Sequence, residues 1–90
     1  MLVNWRPNAQ EALQQIVDYI SNENPIAAFE LFEAIKQATS ELPQHPYLYR
    51  NGRLSGTREI VVHPNYLIVY RVLTNEIQIL NVLHARQQYP

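Results

Sequence analysis

Ninety residues, 47% of them apolar and 17% charged, close one modest hydrophobic core and leave no material for a second domain or for extensive disorder. The absence of cysteine excludes a disulfide framework and thiolate metal sites. The net charge of -1 conceals two unlike halves: residues 1-45 hold two cations against six carboxylates (net -4), and residues 46-90 hold five against two (net +3).

The chain opens on a short apolar run, Leu2 to Trp5, expected to form a strand. Arg6-Pro7 ends it, and proline at a first helical position starts a helix because its missing N-H is not needed there. Ala9, Ala12, Leu13, Ile16 and Ile20 recur at three- and four-residue steps, an amphipathic stripe that stops around Ser21 to Asn24. Asn24-Pro25 restarts the pattern as a cap and first-turn proline. Ala28, Leu31, Phe32, Ile35, Ala38 and Leu42 then mark a second helix ending before Pro43, so that the two form an antiparallel hairpin.

Pro43 to Gly56 reads as a loop. Arg58 to His63, Tyr66 to Leu73 and Glu76 to His84 read as three strands joined by turns at Pro64-Asn65 and Thr74-Asn75, an antiparallel meander. The expected fold is α+β: a strand, a helix hairpin and a three-stranded meander in one sheet. These strands are apolar at nearly every position, so both sheet faces need cover; the hairpin supplies one, and a partner protein is the simplest cover for the other. Which face carries Arg71 is not readable from the pattern.

All five cations of the second half, Arg50, Arg53, Arg58, Arg71 and Arg86, are arginine, whose planar fork suits phosphate or carboxylate. They are candidate residues for binding an anionic partner, and the bland alternative is five solvated surface charges. His45, His63 and His84 lack metal-ligand spacing, so neither a metal nor another cofactor is expected. No segment approaches the roughly 20 apolar residues of a membrane span, and no basic region precedes an apolar run, so the expectation is a soluble, cytoplasmic protein without membrane contact.

Five segments carry a resemblance: Trp5-Arg6-Pro7-Asn8-Ala9, Asn51-Gly52-Arg53-Leu54, Gly56-Thr57-Arg58-Glu59, the strand Tyr66-Leu67-Ile68-Val69-Tyr70-Arg71-Val72, and the ending Ile79-Leu80-Asn81-Val82-Leu83-His84-Ala85-Arg86-Gln87-Gln88-Tyr89-Pro90. In their order and spacing they resemble the RelE/ParE toxins of type II toxin-antitoxin systems. The resemblance implies a toxin that inhibits growth and is neutralised by a cognate antitoxin, expected to be acidic and partly disordered. Its ParE-like branch implies DNA gyrase as the target and no catalysis; its RelE-like branch implies an endoribonuclease acting on messenger RNA at the ribosome. In the second case Arg58 or Arg86 would hold the phosphate, His84 would act as base or acid and Tyr89 would stack on a base. Two departures stand out. Arg6 occupies a position where members often carry a capping serine, a loss of roughly 1 kcal/mol. Leu67 replaces an arginine common in the Tyr-x-Ile-x-Tyr strand, which weakens a nuclease role there. The near-neutral charge and single lysine favour the gyrase reading over the ribosomal one. A third reading is a non-toxic binding module or decayed toxin that retains only its antitoxin contact.

Overall fold

The computed structural model describes residues 1-89; Pro90, the last residue of the quoted ending, lies outside them. Strand β1 (Leu2–Trp5) leads into helix α1 (Pro7–Ser21), helix α2 (Pro25–Ser40), a short 3-10 turn (Leu42–Gln44) and strands β2 (Arg50–Asn51), β3 (Arg58–His63), β4 (Tyr66–Val72) and β5 (Glu76–His84). All five strands form one sheet in the order β1-β5-β4-β3-β2. The meander is antiparallel as expected, and β1 adds to it in parallel, with Val3 opposite Ile77 and Trp5 opposite Ile79. The sheet is therefore mixed.

Local chemistry explains the helix ends. Asn24 Oδ1 accepts the Ala27 N-H at 3.0 Å, the cap expected before Pro25. Arg6 makes no side-chain cap, but its backbone N-H donates to Ile79 O, anchoring the start of α1 to β5. Helix α2 stops at Ser40, short of the expected end at Leu42, because the Pro43 ring cannot continue an α-turn; the backbone tightens into the 3-10 turn instead. Strand β4 likewise ends at Val72, one residue early, since the Leu73 N-H is used by Glu76 O in closing the turn.

Alternation along β4 sorts the two faces. Ile68 and Tyr70 enter the main core with Ala9, Leu31, Ile35, Leu42, Ile60, Ile77, Ile79 and Val82. Leu67 and Val69 point the other way and meet Leu83 in a smaller cluster against which Leu80, Ala85 and Tyr89 pack. The chain's own segment beyond β5 thus covers this cluster, where the sequence pattern made a partner protein the simplest candidate. A bulge between Val69 and Tyr70, opposite Leu80, shifts the register of β5 and lets its apolar residues feed both clusters.

Candidate functional site

The helix-free face is built around the smaller cluster. Glu59, opposite Val69 on β3, lies on this face with only 4% exposure, and its Oε1 accepts from Arg50 at 2.9 Å across the two-residue β2 pairing. Glu59 Oε2 is buried without a hydrogen-bond partner, as is the Tyr89 hydroxyl. Arg71 falls on the same face, opposite Gln78, to whose Oε1 its Nε donates at 2.8 Å. Farther along the sheet, Asn4 donates to Glu76 Oε2 at 2.8 Å.

Arg53 reaches this face from the loop between β2 and β3. Its guanidinium lies 4.6 Å from the Tyr89 ring centroid, and its Nη1 donates to Gln87 O at 3.4 Å. Two glycines shape the loop that carries it. Gly56 has φ of 81°, in the left-handed region that side chains disfavour, and a Cβ on Gly52 would collide with the Thr57 hydroxyl. Arg86 is exposed, and its backbone N-H donates to His84 Nδ1 at 3.1 Å.

Arg58 sits opposite Tyr70, on the helix-covered side of the sheet but beyond the helices, at the 43-56 segment. Its Nη1 donates to Tyr49 O at 2.7 Å and Tyr47 O at 3.2 Å, and its guanidinium stands 5.1 Å from the Tyr47 ring centroid. Tyr70, wholly buried, donates its hydroxyl to Pro46 O at 2.7 Å. Burial pushes the Tyr70 phenol above the usual tyrosine value; the Arg58 charge pulls the other way and Tyr49 adds to the rise. A cleft of about 400 Å³ opens here, lined by Tyr47, Leu54, Ser55, Gly56, Arg58 and Val72 among others.

His84 is elsewhere again. It pairs with Tyr66 at the opposite end of β4 from Arg58, its ring edge-on to Tyr66 at 5.4 Å, and it lines a depression shared with Ala12 and Ile16 of α1. Its Nδ1 must be unprotonated to accept the Arg86 N-H, which leaves Nε2 to carry the proton of the neutral ring. The structure therefore joins Arg53 to Tyr89, and brings Arg50 and Arg71 onto the same face. It places His84 and Arg58 at opposite ends of one face and Tyr89 on the other. Sequence reasoning overlooked Glu59, the buried carboxylate; its signal was an acidic residue directly before the apolar run Ile60-Val61-Val62. Among the described residues no cluster of three His, Asp or Glu side chains is arranged to hold a metal ion, and no helix is long and apolar enough to cross a membrane.

Residues 3-89 match the family profile described as ParE toxin of type II toxin-antitoxin system, parDE. Among curated proteins, the Putative toxin Y4kP of Sinorhizobium fredii is 36% identical over 98% of this chain and 92% of its own length. Toxin RelE2 of Caulobacter vibrioides is 35% identical over 92% of this chain and 93% of its own. The fold is similar to that of a chain in the chromosomal ParDE TA system from P. aeruginosa, with a TM-score of 0.80, 23% identity and coverage of 93% and 95% of the two chains. It is also similar to the YoeB/ParE toxin from Agrobacterium tumefaciens, with a TM-score of 0.68, 12% identity and coverage of 99% and 100%.

Proposed function

Because the chain belongs to the ParE toxin family of type II toxin-antitoxin systems, with a cognate antitoxin as its partner, we propose that it arrests growth by binding DNA gyrase and performs no catalysis of its own. The observation that carries this reading is the dispersal of the groups a nuclease would need. Cleavage of RNA through the 2'-hydroxyl requires a base, an acid and a phosphate-binding cation within reach of one phosphodiester. Here His84 lies at the far end of the sheet from Arg58, with Nδ1 engaged by the backbone. Tyr89 lies on the other face, its hydroxyl buried and its ring stacked by Arg53.

The charge pattern supports the same reading. At the middle of the helix-free face stand Leu67, Val69 and Leu83 beside a buried carboxylate, an environment that disfavours a polyanion. Arg50 is neutralised by Glu59, while Arg53 bonds the Gln87 carbonyl and Arg71 the Gln78 side chain. With one arginine paired to a carboxylate, this face is weakly cationic, which suits a folded protein target better than a polyanion.

The competing reading, cleavage of ribosome-bound messenger RNA, draws support from the relative named Toxin RelE2 and from the exposed Arg86. Purified toxin added to a gyrase supercoiling reaction and to a translation reaction with a defined messenger separates the two. Inhibited supercoiling or trapped cleaved DNA, with intact messenger, is the expected result. Messenger cleavage that disappears in His84→Ala or Arg86→Ala overturns it. Intact activity in both reactions, with antitoxin binding retained, identifies a non-toxic binding module.

A further inference from the structure

Six of the seven cations among the described residues are exposed; Arg58 is the exception. It has no carboxylate within ion-pair distance, since the one ion pair among the described residues joins Arg50 to Glu59. Alternation turns the neighbouring Glu59 to the opposite face of the sheet, so it cannot serve Arg58. Among the described residues the hydrogen bonds of Arg58 to protein all run from Nη1, to the carbonyls of Tyr47 and Tyr49, which leaves Nε and Nη2 without a partner there. A half-buried guanidinium that is neither fully solvated nor paired favours an anion beside it, and a carboxylate matches its fork.

The surroundings say what should bring that carboxylate. Arg58 lines the cleft of about 400 Å³, whose rim includes the exposed Tyr47 and Leu54. Leu48, next in sequence to Tyr47, is 69% exposed. An arginine flanked by Tyr47, Leu54 and Val72, with Asn51, Ser55 and Thr57 completing the lining, has the mixed make-up of a protein-protein anchor pocket. A nucleic acid would call for several cations together, and Arg58 is the single cation lining this cleft.

We propose that this cleft is an antitoxin-docking pocket, in which Arg58 takes an aspartate or glutamate carboxylate of the antitoxin while apolar residues flanking that acid pack on Tyr47 and Leu54. The inference rests on membership of the toxin-antitoxin family and is independent of the gyrase reading. Supercoiling by gyrase tests that reading; antitoxin affinity tests this one.

The test compares full-length toxin variants for binding to the cognate antitoxin by calorimetry, at low and high salt, with thermal melts verifying the fold. Arg58→Lys removes the planar fork but also loosens the 47-49 segment that Arg58 ties. Leu54→Asp avoids that objection: its side chain is exposed, and the carbonyl that accepts from Thr57 is retained. It sets a like charge against the incoming acid. Leu54→Asp should weaken antitoxin binding about tenfold or more, with part of the loss recovered at high salt, whereas Arg71→Gln on the opposite face should change it less than about threefold. Neutralising the antitoxin's acidic residues one at a time should identify one whose loss no longer adds to that of Arg58→Lys. Wild-type affinity in Leu54→Asp, or an equal loss in Arg71→Gln, overturns the proposal. So does weakened binding of a short single-stranded RNA by the two cleft variants with antitoxin affinity unchanged.

Discussion

The two faces of the sheet solve the problem of cover differently. On one, α1 and α2 lay Ala9, Leu31 and Ile35 over Ile60, Ile68, Tyr70, Ile77, Ile79 and Val82, and no charged residue enters the buried cluster. On the other, a few residues beyond β5 shelter Leu67, Val69 and Leu83, and the rest is a polar surface of Arg50 with Glu59, Arg71 with Gln78, and Asn4 with Glu76. The first face is where stability is concentrated. The second leaves two buried polar atoms without partners, a cost a protein carries more readily on a surface used for recognition than in its core.

Substitutions should divide along the same line. The largest effect is expected from Ile79→Ala, which opens a cavity at a wholly buried position in the main core; we predict a loss of about 3 kcal/mol or more in urea denaturation. A loss below about 1 kcal/mol would mean that the helix-covered face does not dominate stability. Arg50→Met should cost about 1-2 kcal/mol, because it leaves the buried Glu59 carboxylate unpaired, with the estimate kept low since the Arg50 side chain is 59% exposed. Adding Glu59→Gln to Arg50→Met should recover part of that loss; no recovery would place the cost in the β2 backbone instead.

Tyr70 sharpens the comparison through pH. Its folded-state pKa is raised, so the protonated phenol contributes stability that is complete below the unfolded value of about 10 and is lost as pH rises through the folded value. Wild-type protein should therefore lose stability above about pH 10 more steeply than Tyr70→Phe, which in turn starts about 1 kcal/mol lower for want of the hydrogen bond to Pro46. Parallel alkaline profiles for the two proteins would remove Tyr70 as the cause. The smallest effect is expected for Tyr89→Phe: deleting an unpartnered buried hydroxyl should leave the melting temperature unchanged or slightly raised. A clear fall in that melt would reveal a hydrogen bond on the helix-free face.

What could be read in advance was local. Pro7, the Asn24-Pro25 cap and the turns at Pro64-Asn65 and Thr74-Asn75 act over a few residues, and each marks an element boundary within a residue of where expected. Strand β2 was hidden because its two residues become a strand through the turn in which Gly52 N-H donates to Thr57 O. The parallel pairing of β1 joins residues more than seventy positions apart, beyond any periodicity. The face of Arg71 was undetermined for a different reason: β4 is apolar on both sides, and the bulge opposite Leu80 was needed to sort its partner strand. For the site, residue types were legible and their company was not. Arg53 and Tyr89 both stood out, but their stacking depends on the β2-β3 loop and the segment after β5 meeting across the sheet.

The strand order has a consequence for the timing of synthesis. β5 lies between β1 and β4, so β1, made first, has no neighbour in the sheet until residues 76-84 have been synthesised. A nascent chain that has reached β4 holds a helix hairpin, β4 with one neighbour and an orphan first strand. β5 is thus the strand that closes the sheet, and the fold comes into being only once residues 76-84 have been made.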